Sequence, residues 1–429
     1  MPSTRAFRAA AALFTALLVF AAPAAATTVG GLSTSADGAF VLSAGRLVLP
    51  TFSTDNMGEA APYPPGPVTT TDIGVQSFGQ GDRHWRYVTL DQSTAGTDVP
   101  AIAARGATSA AAWIGASGLE SALLGAQGAH ASAMHVAVGK VGDFDVAVGP
   151  GGTRAVAWSD DTGTHIQGVS GAGVPSPSVA VSLASAQTVT VAADDSGGWW
   201  VVTAAAGRLT AIDVTAAGGA GPPVDLASSA ASTGAPGHLL GDRSWLALAD
   251  GHGGLWVGLP HALLHVTAAT RARALATGGF LALADGDRAS ALAQDAGRSE
   301  IVVRTLGARL GRAIRLRHAG FVIDVAFDAA RGAIELLAGE PHGVVRLSEI
   351  STTGHVRRSQ TIAYCRNRQS GQVEASGGLV AVSCAGRYFE AESVQTGGDE
   401  QYGRNNLYHL LRAGRALRGN GYFEGVYAY

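Results

Sequence analysis

The chain has 429 residues, enough for two or three ordinary domains or for one β architecture built from repeats. Charged residues make up only 15% and apolar ones 47%, with 59 Gly, which describes a large core of small side chains joined by tight turns. The formal charge is −3 and Lys140 is the sole lysine, so the chain does not have the basic character of a general nucleic-acid binder.

Met1 to Ala26 has the layout of a secretory signal: Arg5 and Arg8, an apolar run from Ala9 to Ala22, then Pro23 and the small residues Ala24 to Ala26. The run is shorter than the roughly 20 residues a membrane span needs, so no span is expected in the mature chain. No Cys follows the run, so a lipid anchor is not indicated. Cleavage leaves 28 basic residues against 33 acidic ones. Residues 27–429 are expected to form one domain, secreted or otherwise extracytoplasmic. Within it, Ala39 to Leu49 reads as a strand lent to the last repeat, and residues 51–80, with Pro62, Pro64, Pro65 and Pro67, as a surface excursion. Asp82 with Val88 is either a further repeat unit or part of a ring closure.

From there a repeat organises the chain. Asp194 to Val201 reads DDSGGWWV, and Asp250 to Val257 reads DGHGGLWV. Each copy places a Gly three residues after the Asp and a Trp, Trp200 or Trp256, six residues after it. Asp160 with Ile166, Asp295 with Ile301 and Asp328 with Ile334 are weaker copies. Ser117 with Leu123 and Ser376 with Val382 keep only the frame. Short apolar runs of period two flank these turns and predict antiparallel hairpins, in which the Asp accepts turn hydrogen bonds and the Gly supplies a positive φ. Seven units at about 43 residues match the length of a four-stranded propeller blade, so an all-β propeller of seven four-stranded antiparallel blades is expected, with eight as the alternative.

The stretches DDSGGWWVVTAAAGRLTAID and DGHGGLWVGLPHALLHVT resemble the repeats of two-component-regulator and NHL-type propellers, through Gly207, Leu209, Ile212 and Asp213 in the first. Ala193 to Trp200 also resembles the Asp box of sialidase-like propellers. Both resemblances imply an architecture, and neither brings an active site with it.

The remaining candidates are scattered. His261 and His265 have the spacing of helical metal ligands, but on a strand four residues separate side chains by about 13 Å, so no metal is expected. Carboxylate pairs at Asp160-Asp161, Asp194-Asp195, Asp143/Asp145, Asp285/Asp287, Glu390/Glu392 and Asp399-Glu400 read mostly as turn residues. Residues 304–318, RTLGARLGRAIRLRH, hold five Arg and no acid; Arg315 and Arg317 would share a strand face and could bind an anionic polymer. Cys365 and Cys384 end two apolar runs and are expected to form a disulfide suited to an exported protein. There is no nucleophile elbow, phosphate loop, dinucleotide fingerprint or zinc-protease helix, and no cofactor is expected. The sequence reading is therefore an exported, monomeric binding or scaffold module for a protein or an envelope or extracellular polymer. The alternative is a propeller lyase or hydrolase acting on a saccharide or peptide-like substrate.

Overall fold

The computed structural model describes residues 32–34, 40–54, 71–79, 82, 86–93, 100–125, 133–182, 185–186, 188–205, 208–228, 246–259, 262–267, 271–276, 281–284, 290–297, 299–328, 331–340, 344–362, 371–392, 400–412 and 422–427. These residues form eight antiparallel sheets, spanning 32–93, 101–137, 143–182, 188–228, 246–276, 281–316, 321–362 and 371–427. Sheets two to eight have four strands, each paired only with its neighbours in sequence, as in a propeller blade. Sheet one has a fifth, Leu32–Thr34, which lies beside the same strand, Arg46–Thr54, as does Val41–Ser43. The sole helix among the described residues is the 3-10 turn Pro150–Gly152, and no described helix is long and apolar enough to cross a membrane.

The first strands touch in order: Ala101–Arg105, Asp143–Val148, Thr188–Ala193, Leu246–Ala249, Leu281–Ala284, Phe321–Asp328 and Gly371–Ser376. Val41–Ser43 of sheet one lies against both Ala101–Arg105 and Gly371–Ser376. The core follows the same order, because each buried apolar cluster fills the space between two consecutive sheets. Trp113 of sheet two packs with Ile73 and Val75 of sheet one, while Phe40, Leu42, Leu47 and Leu49 of sheet one pack with Ala381 of sheet eight.

Each sheet is consequently covered on both faces. In Trp199–Ala205, Trp199 and Val201 belong to the cluster shared with sheet three, whereas Trp200, Val202 and Ala204 belong to the one shared with sheet five. A strand buried on both faces has no polar positions to alternate with. This is why these strands read as unbroken apolar runs, and why so many of the buried residues are Ala, which lets neighbouring sheets approach closely.

Three expectations change. Ala39 to Leu49 does not join the last sheet; its strands pair within sheet one and reach sheet eight only through side chains. The expected excursion at 51–80 carries strand at both ends, Arg46–Thr54 and Thr71–Gly79, leaving 55–70 outside the described residues. The repeat frame merges two kinds of turn. Asp194, Asp250, Asp328 and Ser376 lie at the turn between first and second strands, but Ser117, Asp160 and Asp295 lie between second and third, at the opposite end of the sheet. Both turns need an acceptor, a Gly and a buried residue on the strand that follows, so they look alike in sequence.

Candidate functional site

Asp160, Asp194 and Asp250 of the repeat are acceptors within their turns. Asp250 Oδ1 accepts from the N–H groups of His252 at 2.7 Å and Gly254 at 2.8 Å, and Oδ2 meets His265 Nε2 at 2.6 Å. The imidazole stacks on Trp256 with ring centroids 4.3 Å apart, and Trp256 Nε1 donates to Gly307 O of sheet six at 2.8 Å. Gly253, with φ +89, sits where the turn requires the left-handed region. Asp160 repeats this chemistry at the other end of sheet three. It accepts from Thr162 N–H at 2.8 Å and Gly163 N–H at 3.2 Å, and meets His165 Nε2 at 3.2 Å. His165 stacks on Trp158 at 5.3 Å. Burial pulls the Asp160 carboxyl upward, but the Thr162 hydrogen bonds and His165 outweigh it and hold it below its ordinary value.

Turns from several sheets converge at one end of the assembly. Asp194 accepts from the Ser196 hydroxyl and, across to sheet five, from Gly253 N–H at 3.1 Å. Asp195 pairs with Arg105 of sheet two, and Gly106 O accepts from Ala44 N–H of sheet one at 3.4 Å. The paired carboxylates at 194 and 195 are thus engaged in joining turns.

A second group of carboxylates, which includes the repeat residue Asp295 and the pair Asp143/Asp145 expected in a turn, covers the N–H groups that a first strand leaves unpaired at the sheet edge. Asp143 and Asp145 accept from Val189 N–H at 2.6 Å and Val191 N–H at 3.0 Å. Asp295 accepts from Val322 N–H at 2.7 Å, and Asp324 from Val373 N–H at 2.8 Å. Burial raises the Asp295 carboxyl against the pull of that hydrogen bond. It takes Asp324 to about 7, although the residue is only half-buried at its surface and the Val373 and Val325 N–H groups act against the shift. Gln372 does the same between sheets eight and one: Oε1 accepts from Phe40 N–H at 3.1 Å and Nε2 donates to Phe40 O at 2.9 Å.

The arginines of 304–318 lie on the outer part of sheet six. Arg315 is on the fourth strand, Ile314–Leu316, with 62% of its side chain exposed; Arg317 lies beyond the strand in the following turn, so the two do not share a strand face. Arg309 and Arg312 are exposed on the preceding connection. Arg304 donates to Gly311 O at 2.9 Å, and burial, then the neighbouring charge of Arg315, lower its guanidinium from the ordinary value. Among the described residues, the carboxylate that reaches this group is Glu300, at 3.4 Å from Arg315.

Trp200 and Trp256 are 0% and 1% exposed. Asp328 is fully buried at the end of its strand. His265 lies on the strand Ala262–Val266, while His261 and Cys365 fall outside the described residues. Cys384 lies on the backbone of Leu379–Glu392, but its side chain is not described, so the disulfide expectation falls outside what the structure describes. Among the described residues, no group of three or more His, Cys, Asp or Glu is placed to hold a metal ion.

No known family pattern matches the chain, and no curated protein matches it. Solved structures do. A chain of the nidogen/laminin complex matches at 12% identity and a TM-score of 0.32, covering 54% of this chain and 85% of that one. A chain of the mitotic checkpoint complex matches at 10% and 0.41, covering 66% and 85%. An uncharacterized protein from Listeria monocytogenes EGD-e matches at 9% and 0.41, covering 82% and 91%. Likenesses this distant say nothing about activity or partner.

Proposed function

We propose that this chain is an exported, closed eight-bladed propeller that acts as a binding module, and that the arginine rim of sheet six docks an anionic extracellular polymer. The rim carries this reading. Arg309, Arg312, Arg315 and Arg317 face solvent on a chain of net negative charge, with one long carboxylate contact among the described residues. Arg is suited to such a partner because its planar fork matches carboxylate or phosphate. The residues that would have suggested catalysis at Asp160, Asp194 and Asp250 are instead occupied in turn hydrogen bonds. Closure of the ring is supported by the packing of sheet one on sheet eight and removes the exposed faces that an open array would leave.

Purified chain lacking residues 1–26 should bind immobilised polygalacturonate in a salt-sensitive way and ignore neutral dextran. The double variant Arg312→Glu/Arg315→Glu should weaken binding by about tenfold or more, roughly 1.4 kcal/mol. Unchanged affinity in a folded variant removes the rim from the reading. No binding to polygalacturonate by the parent chain overturns the polymer reading and turns the search toward a protein partner.

A further inference from the structure

Sheet seven buries three carboxyl groups on the face it turns toward sheet eight. Glu335, on the strand Ala333–Gly339, lies directly opposite Ala326 on one neighbouring strand and Glu349 on the other. Asp328 pairs with Ala333, two residues along, and so shares this face. Asp328, Glu335 and Glu349 are 0%, 2% and 3% exposed. Alternate residues of the same strands, Ala326, Leu337 and Leu347, pack on Val373, Val380 and Val382 of sheet eight, with Ala375 beside them. The described side chains of sheet eight on this side are apolar, and His409 stands opposite Val382 in register; Glu374 accepts from Gln372.

Two guanidinium groups reach the cluster from the solvent side, and both go to Glu349. Arg331 Nη2 stands 2.6 Å and Arg357 Nη1 3.3 Å from its Oε1. Arg358 is opposite Glu349 on the outer strand Val356–Ile362, and Asp324 is opposite Leu337, further along the first strand. Glu335 Oε1 has no hydrogen-bond partner among the described residues. Both of these ion pairs go to Glu349 and neither to Glu335, which is buried where an anion without a donor is costly.

We propose that Glu335 holds a proton at neutral pH and that this proton is a latch on the contact between sheets seven and eight. Burial, then the charges of Glu349 and Asp328, push Glu335 up to about 8, against the smaller opposing effects of Arg331 and Arg357. A carboxyl raised in the folded state binds its proton more tightly there than in the unfolded chain, where its value is 4.5. Its contribution is complete below the unfolded value and is lost as pH rises through about 8. The proton leaves to solvent, and the carboxylate left behind faces the valines of sheet eight.

The test is the thermal midpoint of the full chain and of Glu335→Gln between pH 6 and 9.5. Glutamine keeps the shape and cannot ionise, so its midpoint should fall less with rising pH and should exceed that of the parent at the alkaline end. Parallel profiles would overturn the proposal. If the variant does not fold, the parent chain labelled with carbon-13 at glutamate carboxyls gives an independent reading by NMR. One glutamate titrating near pH 8 supports the latch, and titration of every glutamate in the ordinary acidic range ends it. Restricting the label to glutamate keeps Asp324, which also titrates high, out of the signal.

Discussion

Trp200 and Trp256 occupy the same place in the repeat, and both are buried, but they are not held in the same way. Trp256 Nε1 donates to Gly307 O, and its ring carries His265. Trp200 Nε1 has no hydrogen-bond partner among the described residues. Replacing either by Ala should cost about 3 kcal/mol or more, because each ring fills the gap between two sheets. Phe should separate them: Trp256→Phe loses a hydrogen bond and should cost about 1 kcal/mol more than Trp200→Phe. Urea denaturation of the four variants checks this, and equal costs for the two Phe variants would remove the role given to Gly307. The Trp positions were legible because aromatic, Asp and Gly recur locally. Asp143 and Asp145 stood out only as a spaced pair and Gln372 not at all, and their roles were hidden because their partners lie 46, 46 and 332 residues away.

A hairpin in this chain depends on the acceptor in its turn as much as on its strands. Asp250→Ala would leave the N–H groups of His252 and Gly254 without their acceptor and His265 without its partner. The expected loss is about 2–4 kcal/mol, since unsatisfied donors cost about 1–3 kcal/mol each when buried and less where water can reach them. A thermal midpoint unchanged by the substitution would mean that the turn closes without its Asp. From residue 100 on, most strands were legible from the apolar runs. The phase of the repeat was not, because the turns at the two ends of a sheet obey the same chemistry. The strand Thr71–Gly79 was hidden for another reason: it follows directly on a stretch rich in Pro and Gly.

Sheet eight stands between the latch face of sheet seven and the apolar residues of sheet one. Any constraint on it acts on two interfaces together. A disulfide between Cys365 and Cys384 would close a loop of about 20 residues at its start and stabilise the chain by roughly 3 kcal/mol. Reducing agent should then lower the thermal midpoint of the oxidised chain, and two free thiols found by mass spectrometry in oxidised material would rule the bond out. The number of sheets was nearly legible, since the repeat frame falls once in each of sheets two to eight. Sheet one was marked only by the alternative at Asp82 with Val88, which falls before and on its last strand, Arg86–Ser93; its turn between first and second strands is only Ala44-Gly45, with no Asp to mark it.

The contact between Phe40 and Gln372 spans 332 residues. At a synthesis rate of roughly 5–20 residues per second, sheet one waits about 15–65 seconds before the residue that caps it has been made. During that time Phe40, Leu42, Leu47 and Leu49 have nothing of sheet eight to lie against. The sheets otherwise pack on their neighbours in sequence, so the contact of sheet one with sheet eight has the longest loop to close, and the newborn chain keeps those apolar residues uncovered on that side until its synthesis is nearly finished.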